Sequence, residues 1–309
     1  MSERSFLSAV CATSRVISRR NRRPGRAMVR RARRLREAVK LYGLRMAVRV
    51  GSDRLSTWLT SDMRFHRWLR PSLMDAAAST GGLQCSALDV VRRLGITIDA
   101  ADWASLTHEM HGVQEEIVAL GKKGQATQYA ETWSVGTETS LLLYALVRLL
   151  KPRTVLETGV ASGSSTAVIL AAMIRNGDGE LVSTDIDPRA GELVPVEWRP
   201  RWRLVVLTGN APQQFARLVG GFEQIDLFIH DSLHEYAWQS MELRTVWPKL
   251  AQRGLVAADD AHSCNAFLDF CRDRGVEPLI LVEPKKIFGI GRRTGGECGR
   301  SRQHDALDR

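Results

Sequence analysis

Between Thr154 and Ile290, short apolar runs alternate with longer amphipathic ones, and this alternation restricts the fold more than any other feature. Strands are expected at Thr154–Glu157, Leu181–Asp185, Trp202–Leu207, Ile225–His230, Leu255–Ala258, Pro278–Val282 and Ile287–Ile290. Helices are expected at Ser165–Arg175, Pro212–Val219, Tyr236–Leu250 and Asn265–Arg274. Strands separated by helices of this length pair in parallel, with the helices covering both faces, which gives an α/β fold. The last two strands are too close for a crossover helix and should pair antiparallel at one edge. Ahead of the series, Thr137-Glu138 open an apolar helix running through Leu141–Leu150 that stops before Pro152.

The 309 residues allow one large domain or two moderate ones, and a hydrophobic share of 44% excludes wholesale disorder. No apolar run is long enough for a membrane-spanning helix. The charge is unevenly distributed. The whole chain carries +10, but residues 1–50 hold fifteen Arg and Lys against only Glu3 and Glu37, so the rest is slightly acidic. Nucleic-acid binding by the main body is therefore not expected. Within this basic arm (1–52), Met28, Ala32, Leu35, Val39, Tyr42 and Met46 form one stripe of an amphipathic helix. Such a helix docks on an anionic membrane surface, or packs on its own domain or a partner subunit. Residues 53–130 read as a helical region with Trp58, Phe65, Trp68 and Leu69 as packing residues and breaks at Pro71 and Gly81-Gly82. The α/β domain is expected over 131–292, with a disordered tail at 293–309. The five cysteines (Cys11, Cys85, Cys264, Cys271, Cys298) are scattered and form no CxxC pair. That usage suits a reducing, cytoplasmic setting without structural zinc.

Ligands of open α/β sheets bind beyond the carboxyl ends of the strands, so the residues just past each strand carry the chemistry. After the first strand comes Glu157-Thr158-Gly159-Val160-Ala161-Ser162-Gly163-Ser164. Gly159 permits a tight turn, Gly163 a close backbone approach, and a helix then starts with its free N–H groups facing the site. Ala161 and Ser164 stand where the dinucleotide fingerprint needs glycine, and no phosphate-loop lysine follows, so NAD(P) and nucleotide-triphosphate binding are disfavoured. Asp185 ends the second strand where a ribose hydroxyl pair would be held, with Asp187 the alternative acid. Asn210, after the third, either meets an adenine edge or caps the next helix. The fourth strand ends in His230-Asp231-Ser232-Leu233-His234-Glu235-Tyr236 and the fifth in Asp259-Asp260-Ala261-His262. Carboxylates so close raise one another's pKa values, and Mg²⁺ bound by Asp231, Asp259 and Asp260 would relieve the repulsion. The alternative is separate pairing with basic or backbone donors. His234 and His262, with Asp231, are the candidate catalytic groups, a histidine serving as general base. Tyr236 and Trp238 are expected to pack or line a pocket.

Taken together, these residues resemble a class I S-adenosylmethionine-dependent methyltransferase. The loop Glu157–Gly163 is similar to that family's first motif, with Ala161 in place of the middle glycine. Ile225–Tyr236, Trp247-Pro248 and Gly254–Asp260 resemble the small-molecule O-methyltransferase branch that includes macrocin- and catechol-type enzymes. The resemblance covers about residues 130–292. It implies a Rossmann-like sheet of seven strands with the last reversed, S-adenosylmethionine contacts at Glu157, Gly159, Ala161, Gly163 and Asp185, and a small-molecule hydroxyl as acceptor, such as a sugar, glycolipid or natural product. It also implies Mg²⁺ at Asp231, Asp259 and Asp260, although the third ligand is Asp where catechol-type enzymes have Asn. Two other readings are a non-catalytic cofactor-binding module with a membrane- or nucleic-acid-binding arm, and an iron-dependent hydroxylase using His230, Asp231 and His234.

Overall fold

The computed structural model describes residues 84, 86–122, 135–283 and 286–294. The chain divides into two units, Met1–Leu69 and Arg70–Arg309. The first unit lies outside the described residues, and with it the basic arm and the packing residues expected at 58–69. Pro71, Gly81-Gly82 and the tail beyond Thr294 also lie outside them.

Seven strands form one sheet in the order β3-β2-β1-β4-β5-β7-β6: β1 (Thr154–Thr158), β2 (Glu180–Asp185), β3 (Trp202–Val206), β4 (Ile225–His230), β5 (Leu250–Ala258), β6 (Leu279–Val282) and β7 (Ile287–Arg292). The first five run parallel, and β7 is antiparallel to both β5 and β6. The Rossmann-like sheet with a reversed last strand is therefore present. Around it stand α1 (Ala87–Arg93), α2 (Ala100–Lys122), α3 (Thr137–Leu150), α4 (Ser164–Asn176), α5 (Ala211–Gly220), α6 (Tyr236–Val246) and α7 (Ala266–Arg274). One boundary differs clearly from expectation. The helix expected over Tyr236–Leu250 ends at Val246, and Trp247-Pro248-Lys249 form a single 3-10 turn into a longer β5. Proline cannot donate within a helix, which ends the α-helical pattern there.

Central strands buried on both faces need continuous apolar runs, and Val155, Leu156, Leu181, Val182, Leu227 and Phe228 are all buried. Helix α4 is buried from Ser165 to Met173, so it is covered on its outer side as well as by the sheet. That cover comes from α2 and α3. Leu106, Met110, Val113 and Ile117 of α2 recur at three- and four-residue steps and join the same core as Leu142, Leu146 and Val168. The described part of the expected helical region (53–130) thus shares one core with the α/β sheet. Glu109 ties α2 to α3, accepting hydrogen bonds from Tyr144 Oη at 2.6 Å and Arg148 Nη1 at 3.0 Å, and to α4 through Arg175 Nε at 3.8 Å.

The N-cap of helix α3 is Gly136, which has no capping side chain. Its cap comes from Glu283, whose carboxylate accepts from the Glu138 N–H (2.8 Å), the Thr139 N–H (3.2 Å) and Thr139 Oγ1 (2.6 Å). An anion there also complements the helix dipole. The Glu283 N–H in turn donates to the Lys286 carbonyl at 2.9 Å, closing the turn between β6 and β7. Glu283→Ala is expected to cost about 1–2 kcal/mol, from the lost cap. Thermal denaturation checks this, and an unchanged midpoint would show that water replaces the carboxylate.

Candidate active site

Register sets the site. Thr158 pairs with both Thr184 and His230, and His230 with Ala258, so the carboxyl ends of four parallel strands finish level. The ladder continues one residue further through Gly159 N–H to Thr184 O, Asp231 N–H to Thr158 O and Asp259 N–H to His230 O, each 2.8 Å. Gly159, Asp231 and Asp259 therefore share one rim.

The loop after β1 turns through three left-handed residues: Gly159 (φ 81°), Ala161 (φ 49°) and Gly163 (φ 89°). A Cβ on Gly159 would lie 2.1 Å from the carbonyl oxygen of Asp231. Gly163 is required for a reason other than ligand approach, since its Cβ would lie 2.8 Å from Gly191 Cα and 2.9 Å from Val194 Cγ2. Ala161 bears a left-handed strain of about 1–2 kcal/mol. Two backbone hydrogen bonds hold it: its N–H donates to Asp185 Oδ2 (3.0 Å) and its carbonyl accepts from the Gly191 N–H (2.8 Å).

Two of the acids expected to touch a cofactor instead hold this loop. Glu157 is 0% exposed and accepts from Ser165 Oγ, Thr166 Oγ1 and Ser183 Oγ at 2.6–2.7 Å. Burial pushes its carboxyl above the ordinary range, and the three hydroxyls oppose that shift. It presents no surface to a ligand and acts as a brace between β1, β2 and α4. Asp185 accepts from four backbone N–H groups: Val160 (2.8 Å) and Ala161 on Oδ2, and Ile186 (2.7 Å) and Asp187 (2.9 Å) on Oδ1. This carboxylate clamps the loop. Asn210 Oδ1 accepts from the Gln213 N–H at 3.3 Å, which is the helix-capping alternative. Beyond β2, Ile186 is 78% exposed, an apolar side chain at the mouth of the loop.

The acids after β4 and β5 do not converge as expected. Ligand atoms of Asp231, His234 and Asp259 lie within 4.8 Å of one another. Asp260, at φ 46°, instead faces the two histidines, 4.0 Å from His234 Nε2 and 3.9 Å from His262 Nδ1. His262 is buried, whereas His234 is partly open to the rim, with Nε2 also 3.7 Å from Asp231 Oδ1. Burial holds His234 below the ordinary histidine range, against the pull of Asp260 and Asp259. Burial, and then Asp259, raise the Asp231 carboxyl well above the usual carboxylate range, while Lys286 opposes the shift.

Sequence reasoning missed two residues of this rim. Lys286 Nζ lies 2.7 Å from Asp259 Oδ2, with side-chain exposures of 14% and 8%. Burial disfavours its charge, but Asp259, Asp231 and Asp260 outweigh that and hold its pKa above the ordinary lysine range. Glu242 is 1% exposed and accepts from His230 Nδ1 (2.6 Å), Thr158 Oγ1 (2.6 Å), Ser232 Oγ (3.0 Å) and Trp238 Nε1 (2.7 Å). Trp238 is therefore a hydrogen-bond donor to a buried carboxylate. His230 is turned into the core, so the two-histidine iron set does not form. The expected Mg²⁺ set does not fit either. The close set is Asp231, His234 and Asp259 without Asp260, so the third close ligand is a nitrogen, and an ammonium already holds Asp259.

Residues 156–261 match the family model described as a methyltransferase domain. No curated protein matches the chain. Solved structures similar to it include the O-methyltransferase TomG from Streptomyces achromogenes, in complex with SAM (15% identity, 58% of this chain and 96% of that chain, TM-score 0.43). A methyltransferase from Geobacter sulfurreducens is 20% identical over 59% of this chain and 88% of its own, with a TM-score of 0.43. An O-methyltransferase from Bacillus cereus, in complex with SAH, is 13% identical over 67% of this chain and 98% of its own, with a TM-score of 0.42.

Proposed function

We propose that this chain transfers a methyl group from S-adenosylmethionine to a hydroxyl of a small molecule, such as a sugar, a glycolipid or a natural product. The observation that carries the reading is the β1 turn. Its three left-handed residues lead into an α4 N-terminus with no capping side chain, beside the exposed Ile186 and on the same rim as Asp231 and Asp259. The methyltransferase-domain match spans the same residues. An adenosyl group fits these features: Ile186 would cover the adenine face, and the Gly159–Gly163 backbone would border the sulfonium side, with Asp185 and Glu157 fixing the loop.

Bound S-adenosylmethionine supplies an electrophilic methyl group. This chain contributes orientation, an effect worth up to about 7–11 kcal/mol when reacting atoms are held in line. His234 Nε2, at the open rim, takes the proton of the acceptor hydroxyl. With the donor bound, the chain's part would be to hold the acceptor oxygen in line with the donor's methyl group. The exposed side chains of Leu233 and Tyr236 would border the acceptor. The basic residues 1–50 would bring the enzyme to an anionic membrane surface. Among the described residues, no helix is long and apolar enough to cross a membrane.

Isothermal titration of the full chain with S-adenosylmethionine tests the reading. The expected result is one-to-one binding that is lost in Gly159→Ala. Absence of heat with the folded wild-type protein would remove the proposal.

A further inference from the structure

We propose that the Lys286 ammonium is the resident cation of this rim, standing where the resemblance puts a divalent ion, so that the transfer runs without metal. The inference deepens the methyl-transfer reading and rests on it for its chemistry.

Lys286 Nζ is 2.7 Å from Asp259 Oδ2, and the pair is largely buried. Its charge is also attracted by Asp231 and Asp260, so the acids expected around Mg²⁺ act on this lysine instead. The lysine is held by the fold. Its carbonyl accepts from the Glu283 N–H, and the Glu283 carboxylate is fixed on the N-terminus of α3. A divalent ion bound at Asp231 and Asp259 would sit against this ammonium, and in a part-buried site that repulsion is only weakly screened. An ammonium has three N–H donors. Asp259 takes one, leaving donors for the oxygen of an acceptor hydroxyl as His234 removes its proton. Lys286 would thereby stabilise negative charge developing on oxygen, the task otherwise left to a metal.

The test is a Mn²⁺ titration of the full chain, with free Mn²⁺ followed by electron paramagnetic resonance. The samples are wild type, Lys286→Met, Lys286→Arg, Asp259→Asn and the Lys286→Met/Asp259→Asn double variant. Wild type and Lys286→Arg are expected to show no Mn²⁺ binding that depends on Asp259. Lys286→Met is expected to gain affinity by at least about tenfold, because a +1 charge beside the ion is removed. The double variant should lose that gain. Wild-type binding abolished by Asp259→Asn would overturn the proposal. So would a folded Lys286→Met that gains nothing, with Lys286→Gln read in its place should Lys286→Met not fold. The titration uses neither cofactor nor acceptor. A protein that shows the expected Mn²⁺ pattern but does not bind S-adenosylmethionine would refute the methyl-transfer reading and leave the cation assignment standing. The opposite pair of results would do the reverse.

Discussion

Glu242→Ala is expected to destabilise the protein by about 3–5 kcal/mol, because several buried donors lose one shared acceptor at about 1–3 kcal/mol each. In a unit of this size, that lowers the melting temperature by about 6–20 °C. Glu242 gathers four donors, from His230, Thr158, Ser232 and Trp238, and all would lose their acceptor together. Buried donors without acceptors cost more than the hydrogen bonds themselves contribute, because water cannot reach them. His230 and Thr158 are fully buried, so neither can turn to solvent. Glu242→Gln keeps the volume and one acceptor oxygen, and should lose less. Denaturant unfolding measures both, and a Glu242→Ala loss below about 1 kcal/mol would mean the four donors find other partners. The rim should suffer as well, since Ser232 and Trp238 fix the chain between Asp231 and His234.

Gly159→Ala is the second large effect, expected to cost about 3 kcal/mol or more and to abolish S-adenosylmethionine binding. Two terms add. An alanine at φ 81° is strained, and its Cβ would lie 2.1 Å from the Asp231 carbonyl oxygen. Backbone cannot swing aside as a flexible side chain can, so either the β1 loop or the end of β4 must move. Gly275→Ala separates the two terms. That residue has φ 63° with open space around its missing Cβ, so only the conformational cost of about 1–2 kcal/mol remains. Thermal denaturation and isothermal titration of both variants check the pair. Equal losses of stability would show that the rim relaxes around the added methyl.

The order of strands and helices, the reversed strand pair and the rim on which Gly159, Asp185, Asp231 and Asp259 stand were all legible in the sequence. Each follows from local periodicity and from spacing too short for a crossover. The site's internal assignments were less legible. Position placed Asp185 at the rim, but only tertiary structure put four backbone N–H groups on it. Gly163 looked like a residue making room for a ligand, but it makes room for Gly191 and Val194. Glu242 sits mid-helix, twelve residues beyond His230, with nothing around it in the sequence to mark it as an acceptor for a strand and a loop. Lys286, in the short link before the last strand, carries no motif at all.

The sequence by itself determined which residues reach the rim, because apolar period and turn chemistry act over a few neighbouring positions. Only the tertiary structure decided how the charges there pair. Partners such as Lys286 and Asp259 are brought within 2.7 Å by the antiparallel return of β7 against β5. Electrostatic pairing depends on distance and burial, and neither is a property of spacing along the chain.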